Sequence, residues 1–239
     1  MNPIYLDLET TELGSTARIV QLAYKNKATG ETVNELFKPP TAISFGAMAV
    51  HHITEEIVAD KPAFAGSEQK EKLTAVLKDN ILVAHNAAFD MGVLKVEGVQ
   101  TGGYIDTLRV AQHLIESESH KMQYLRYSLG LNVEATAHDA LGDILVLEKL
   151  FEKLILITKK KFSLEKDESA IEKMMNMTVA PVLMDKFAFG KYKGKSFEEV
   201  AATDRGYLEW LYKSETQKPE TDQNTNLVHT LSYLLKLSR

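Results

Sequence analysis

Ile4-Tyr5-Leu6-Asp7-Leu8-Glu9-Thr10-Thr11 has the pattern of a first strand around which the following elements can be placed. Ile4, Leu6 and Leu8 alternate with Tyr5, Asp7 and Glu9, the period of two that gives a β-strand one apolar face. Outward from it, residues 18–26 and 31–38 are strand candidates separated by the turn-forming Ala28-Thr29-Gly30 and closed by Pro39-Pro40. The opening therefore predicts a three-stranded antiparallel meander. Helices and strands then alternate: a helix over 67–77 with Ser67 as cap, a short strand at 80–84, a helix at 89–96, a short strand at 104–106, helices at 108–115 and 122–129, and a long helix from 140 to 158. Strands first and alternation afterwards predict an α/β domain, a mixed sheet of three antiparallel strands followed by parallel ones, flanked by helices.

Lys159-Lys160-Lys161, the charged run 164–173 and the Met-rich stretch 174–177 lack a clear apolar period. Residues 159–178 accordingly read as a linker or helix extension between a domain at 1–158 and a small α-rich module at 179–239. In that module Phe187, Phe189 and Tyr192 crowd around Gly190 and Gly194, and helices are expected at 197–201, 207–212 and 225–236. No internal repeat is present.

With 239 residues, 44% hydrophobic and 26% charged, the chain is long enough for one large or two modest globular domains. Its apolar stretch at 154–157 is far below the ~20 residues of a spanning helix, and the strand pattern beginning at Ile4 leaves no room for a signal peptide, so no membrane is expected. The absence of cysteine excludes disulfides, thiolate metal sites and cysteine nucleophiles, is compatible with a cytoplasmic protein, and restricts any metal to oxygen or imidazole ligands. Residues 1–157 carry 14 Lys/Arg against 21 Asp/Glu, a net −7, and residues 158–239 carry 14 against 12, a net +2. An acidic domain does not grip a long duplex by its phosphates, which disfavours a repressor or architectural protein and leaves local, metal-assisted binding of nucleic acid.

Asp7 and Glu9 leave the strand by the same face and can meet one hard cation. A solvated polar face has the same spacing, although on a central strand two unpaired carboxylates would be costly. His85-Asn86-Ala87-Ala88-Phe89-Asp90 follows a buried strand, so Asp90 falls in the first helical turn beyond its C-terminal end. Ligands gather there in open α/β sheets, and an Asp at that position also favours the helix dipole. His138-Asp139-Ala140-Leu141-Gly142-Asp143 precedes the long helix whose Leu141, Ile144, Leu145, Leu147 and Leu150 form its buried side. On a regular helix His138 and Asp143 would point about 140° apart, so they converge only if His138 sits on the preceding loop, with Asp139 at the N-cap. An imidazole on a loop beside a metal-bound water suits a general base, and a surface histidine is the alternative.

Together these segments resemble the three motifs of the DEDDh 3′–5′ exonucleases, a ribonuclease H-like superfamily that includes proofreading subunits: Asp7-Leu8-Glu9-Thr10-Thr11, His85 to Asp90, and His138 to Asp143. Met48-Ala49-Val50-His51-His52-Ile53-Thr54, Ile105-Asp106-Thr107-Leu108 and residues 125–131 resemble the same family between its motifs, so the likeness covers about residues 1–157. Glu12 departs from it, since many relatives have glycine after the two threonines. The resemblance implies a ribonuclease H-like fold in which Asp7, Glu9, Asp90 and Asp143 hold two Mg²⁺ (or Mn²⁺) ions ~4 Å apart, with Asp7 bridging them. One ion would acidify the attacking water and the other stabilise the leaving 3′ oxygen. It further implies His138 as general base, a nucleoside 5′-monophosphate as product, and Thr10, Thr11, His51, Asn86 and Phe89 as substrate-binding residues.

Phe189-Gly190-Lys191-Tyr192-Lys193-Gly194-Lys195 and Gly206-Tyr207-Leu208-Glu209-Trp210-Leu211 resemble the small domain appended to bacterial exodeoxyribonuclease X and related proteins. That likeness favours DNA repair, with single-stranded DNA or DNA 3′ ends as substrate. The rivals are an exoribonuclease acting on RNA, and a proofreading subunit whose C-terminal segment binds a polymerase; a homodimer is a further expectation. Two readings of the lysine and aromatic alternation stay open. It contacts phosphates and stacks bases, or Tyr192, Phe197, Tyr207 and Trp210 are the core of a ~60-residue domain.

Overall fold

The computed structural model describes residues 2–134 and 139–237. The chain forms two compact units, divided between Thr178 and Val179. The first is built on a five-stranded sheet of β1 (Pro3–Thr10), β2 (Ile19–Asn26), β3 (Thr32–Leu36), β4 (Ile81–Ala84) and β5 (Gly103–Asp106), in the order β3-β2-β1-β4-β5. β1 runs antiparallel to β2, with Asp7 opposite Ala23, and β2 antiparallel to β3. β4 joins β1 in parallel, and β5 joins β4 in parallel, completing the expected mixed sheet. β1 is therefore central. Its odd and even side chains enter different cores.

Helices α1 (Phe45–His51) and α2 (Glu55–Val58) precede α3 (Glu68–Lys78), which begins at Ser67 as the sequence predicts, the serine accepting from the Lys70 N–H at 3.2 Å. On one face of the sheet Ile4, Leu6 and Leu8 pack with Leu73 and Leu77 of α3 and with Val93 and Leu94 of α4 (Ala87–Val96). On the other, Tyr5, Ala23, Ile81 and Val83 pack beneath α5 (Thr107–Leu114), α6 (Met122–Ser128), α7 (Ala140–Phe162) and α8 (Asp167–Val179). Tyr5 meets Phe151 of α7 edge to face, ring centroids 5.7 Å apart.

Residues 159–178 are not a linker. α7 continues to Phe162, where three lysines in its last turn suit the negative end of the helix dipole. α8 then returns to the first unit, burying Ala170, Met174 and Met177 in the same core as Tyr5. Their spacing of four and three residues is a helical stripe, and each buried methionine contributes on the order of 1.5–3 kcal/mol of apolar burial.

The second unit folds around Phe187, Phe197, Val200, Leu208, Leu211, Leu227, Leu231 and Leu235, drawn from a looped segment and from α9 (Phe197–Thr203), α10 (Arg205–Thr216) and α11 (Thr225–Leu235). Phe187 stacks on Phe197 at 3.8 Å between centroids. The loop between them closes through Phe187 N–H to Lys195 O and Gly194 N–H to Phe187 O, at 2.9 and 2.8 Å. Gly190 occupies it at φ +68°, and a Cβ there would lie 3.1 Å from the Tyr207 hydroxyl, so a larger residue at this turn would be strained. Tyr192 and Tyr207 are packed against this core, but Trp210 is 59% exposed and is not part of it.

Candidate active site

Side-chain alternation along β1 sends Asp7 and Glu9 to the side of the sheet carrying Tyr5, under the N-terminal end of α7. Asp139 caps that helix, its side chain accepting from the Gly142 N–H at 3.3 Å, which sets Asp143 in the first turn. Carboxylate oxygens of Asp7, Glu9 and Asp143 come within 4.8 Å of one another, a group able to hold a metal ion. Asp90 is buried in the first turn of α4, and its charge is the one that raises Asp7 most. Three of the four carboxylates expected from the sequence, Asp7, Glu9 and Asp143, thus meet, and Asp90 is close enough to act on Asp7 and Glu9 through its charge. His138 lies outside the described residues, immediately before Asp139 in the chain.

The electrostatics are those of crowded, desolvated acids. Burial pushes Asp7 well above the usual carboxyl range, and the charges of Asp90, Asp143, Glu9 and Asp139 push it further. Burial, then Asp143, Asp139 and Asp90, raise Glu9 from 4.5 to about 8. Asp90 also rises to about 8, mainly through burial, with backbone hydrogen bonds from its own N–H and from Leu8 opposing the shift. Such a set is repulsive in itself and becomes favourable around a hard cation, whose ligands of choice are carboxylate oxygens. The donors fit a divalent ion.

Beside Glu9 opens a cavity of about 330 Å³, with Leu8, Thr10, Leu13, Val50, His51 and Phe89 among its lining residues. Thr10 and Thr11 are buried, and their hydroxyls are engaged with the Glu12 carbonyl at 2.8 Å and the Arg18 N–H at 3.1 Å. His51 is likewise committed to the backbone. Its Nδ1 accepts from the Ile53 N–H at 3.0 Å, which leaves the proton on Nε2 to donate to the Thr10 carbonyl at 3.2 Å. Burial lowers its pKa and keeps the ring neutral. Thr10 and His51 line the cavity, and Thr11 does not. Phe89 is half-buried on its floor, whereas Asn86 is exposed and holds a left-handed φ of 70° while its N–H donates to Asp106 at 2.9 Å.

Three residues of this neighbourhood escape sequence reasoning. Gln123 donates to Asp143 at 2.6 Å. Gln21 of β2 donates to Asp139 at 3.0 Å. Asp106 caps α5 while anchoring Asn86. Gln21 and Gln123 carry no motif signal. Asp106 stands inside one of the stretches that resemble the family, and only its distance from the motifs hides it.

A cluster of carboxylates on a mixed five-stranded sheet flanked by helices is the arrangement of a nuclease of ribonuclease H-like fold. The comparisons agree: residues 4–151 match the family described as Exonuclease, and residues 187–215 match the one described as Exodeoxyribonuclease X-like C-terminal. Exodeoxyribonuclease 10 of Escherichia coli (strain K12) is 32% identical over 221 residues, spanning 89% of this chain and 93% of that protein. DNA polymerase III subunit epsilon of Buchnera aphidicola subsp. Acyrthosiphon pisum is 29% identical over 187 residues, 70% of this chain and 76% of that one. Among solved structures, exonuclease X in complex with 5′ overhanging duplex DNA superposes with a TM-score of 0.55 at 28% identity, covering 74% of this chain and 99% of that chain. The chain belongs to the exonuclease family and is a nuclease.

Proposed function

We propose that the chain is a metal-dependent 3′–5′ exonuclease that removes nucleoside 5′-monophosphates from DNA 3′ ends, preferably single-stranded, in DNA repair. The observation that carries the reading is the meeting of Asp7, Glu9 and Asp143, with the charge of Asp90 acting on the first two, and a cavity with largely apolar walls that Glu9 lines. Asp7, Glu9, Asp90 and Asp143 would hold two Mg²⁺ or Mn²⁺ ions, which supply charge neutralisation at the phosphate and a more acidic water. His138 would accept the proton of that water from its place before the α7 cap. The cavity, at the small end of ligand sites, suits the terminal nucleoside, with Phe89, Leu13 and Val50 as apolar surface for a base and the exposed Asn86 at the approach.

In this reading residues 2–178 form the catalytic domain and residues 179–239 an accessory domain whose exposed Trp210 and lysines contact the strand. The DNA substrate is supported by the DNA-bound exonuclease X structure and by the similarity to exodeoxyribonuclease 10 along most of both chains. The similarity to polymerase III epsilon subunits favours a second reading, a proofreading role with a polymerase as partner. A cytoplasmic location fits the absence of cysteine. Matched DNA and RNA oligonucleotides labelled at the 3′ or the 5′ end test the proposal. Stepwise loss of mononucleotides from DNA 3′ ends supports it, while attack from 5′ ends or on RNA alone contradicts it.

A further inference from the structure

Asp143 does not stand alone at the head of α7. Gln123, half-buried on α6, donates its amide N–H to the Asp143 carboxylate at 2.6 Å. The same amide is held from behind, because the Arg126 guanidinium donates to Gln123 Oε1 at 3.2 Å. Arg126 is itself fixed by donating to the Val133 carbonyl and by lying over the Tyr127 ring at 5.4 Å. Since Arg126 can only donate and the carboxylate can only accept, the two ends of the chain leave the amide one orientation, with Nε2 towards Asp143. Arg126, Gln123 and Asp143 thereby form a relay of two hydrogen bonds that presents a neutral N–H to a carboxylate crowded by other acids.

We propose that Gln123 is a positioning residue for metal binding, oriented by Arg126, which fixes Asp143 in the rotamer that meets the cation. The inference rests on Asp143 being a metal ligand in the proposed function. A neutral donor serves this purpose where a lysine or arginine would not, because a full positive charge against Asp143 would compete with the ion it has to bind. Outer partners that orient a metal ligand typically change affinity by roughly ten- to a hundredfold when removed.

Calorimetric titration of the full-length chain with Mn²⁺ tests this, using wild type, Gln123→Leu, Arg126→Leu and Asp143→Asn, with thermal unfolding in EDTA recorded for each. Gln123→Leu is expected to weaken Mn²⁺ binding by at least about tenfold and to raise the Mg²⁺ concentration for half-maximal activity in parallel, while saturating metal restores most of kcat. Arg126→Leu, which only frees the amide to rotate, is expected to produce a smaller shift in the same direction. Unchanged Mn²⁺ affinity in Gln123→Leu, alongside loss of binding in Asp143→Asn, would overturn the positioning role and leave the metal site standing. Unchanged affinity in Asp143→Asn as well would overturn the metal site itself. If Gln123→Leu does not fold, the Arg126→Leu titration decides: affinity equal to wild type overturns the relay.

Discussion

The repulsion stored among the site carboxylates makes folding stability depend on pH in a direction opposite to that of ordinary paired acids. Burial and the neighbouring charges raise Glu9 from 4.5 to about 8 and Asp90 from 3.8 to about 8. The folded chain therefore keeps protons that the unfolded chain releases. Stability from these groups is fully present below about pH 4 and is lost as pH rises towards 8. One pKa unit is about 1.4 kcal/mol, so a single carboxyl displaced this far is worth up to roughly 5 kcal/mol; because the groups share their repulsion, a combined loss of roughly 2–5 kcal/mol between pH 5 and 8 is expected. For a domain of this size that is a fall of roughly 5–15 °C in Tm. Divalent cation removes the repulsion, so saturating Mg²⁺ should stabilise the chain far more at pH 8 than at pH 5. The assay is thermal unfolding in EDTA and in Mg²⁺ at pH 5, 6.5 and 8. A Tm in EDTA that is flat or rises over this interval, or an equal effect of Mg²⁺ at both ends, would refute the electrostatic account of the site.

Other outcomes follow from the same geometry. His138→Ala should depress turnover strongly while leaving metal affinity nearly unchanged, because the residue is assigned proton transfer and not ligation; calorimetry checks this, and joint loss of binding and activity would make it a ligand. Truncation to residues 1–178, which ends at the boundary of the first unit, should raise KM on single-stranded oligonucleotides more than it lowers kcat, with a shallower loss of affinity as salt rises than in the full chain. Arg18 clamps the Glu97 side chain, 2% exposed, through two hydrogen bonds of 2.8 and 3.0 Å. Arg18→Met should therefore leave a buried charge unpaired and lower stability by about 3 kcal/mol in urea unfolding at neutral pH.

Much of the first unit was legible in the sequence because its elements obey a single period. The alternation at Ile4, Leu6 and Leu8 located the central strand, and the parity of Asp7 and Glu9 put them on one face before any tertiary contact was known. The long helix was legible from Leu141 to Leu150. Its capping by Asp139 was expected because His138 and Asp143 converge only if His138 precedes the helix, and Asp139 does cap it.

What stayed hidden has physical reasons. In α8 the buried positions are Ala170, Met174, Met177 and Thr178, a sparse stripe among charged residues whose side chains face water. Short α1 and α2 lack the length to display a helical period at all. Thr10, Thr11 and His51 look like donors aimed at a substrate, yet the turn leaving β1 consumes their polar atoms, a demand visible only once the backbone is placed. Gln123 acquires meaning through Asp143, 20 residues away, and no local pattern announces such a pair. Trp210 was a candidate for the second core and for a base-stacking surface alike, and its exposure removes the first.

Single-turnover cleavage of a 5′-labelled single-stranded DNA by wild type and Asp7→Asn, followed across Mg²⁺ concentration, tests the central claim most directly. Asp7 feels the charges of Asp90, Asp143, Glu9 and Asp139 together, and its amide analogue keeps the shape while removing the charge. Wild type is expected to shorten the labelled strand one nucleotide at a time from its 3′ end, EDTA to abolish the reaction, and Asp7→Asn to be slower by about three orders of magnitude, roughly 4 kcal/mol of transition-state stabilisation, at every Mg²⁺ concentration. Wild-type rates in Asp7→Asn, or cleavage that persists in EDTA, would contradict the claim.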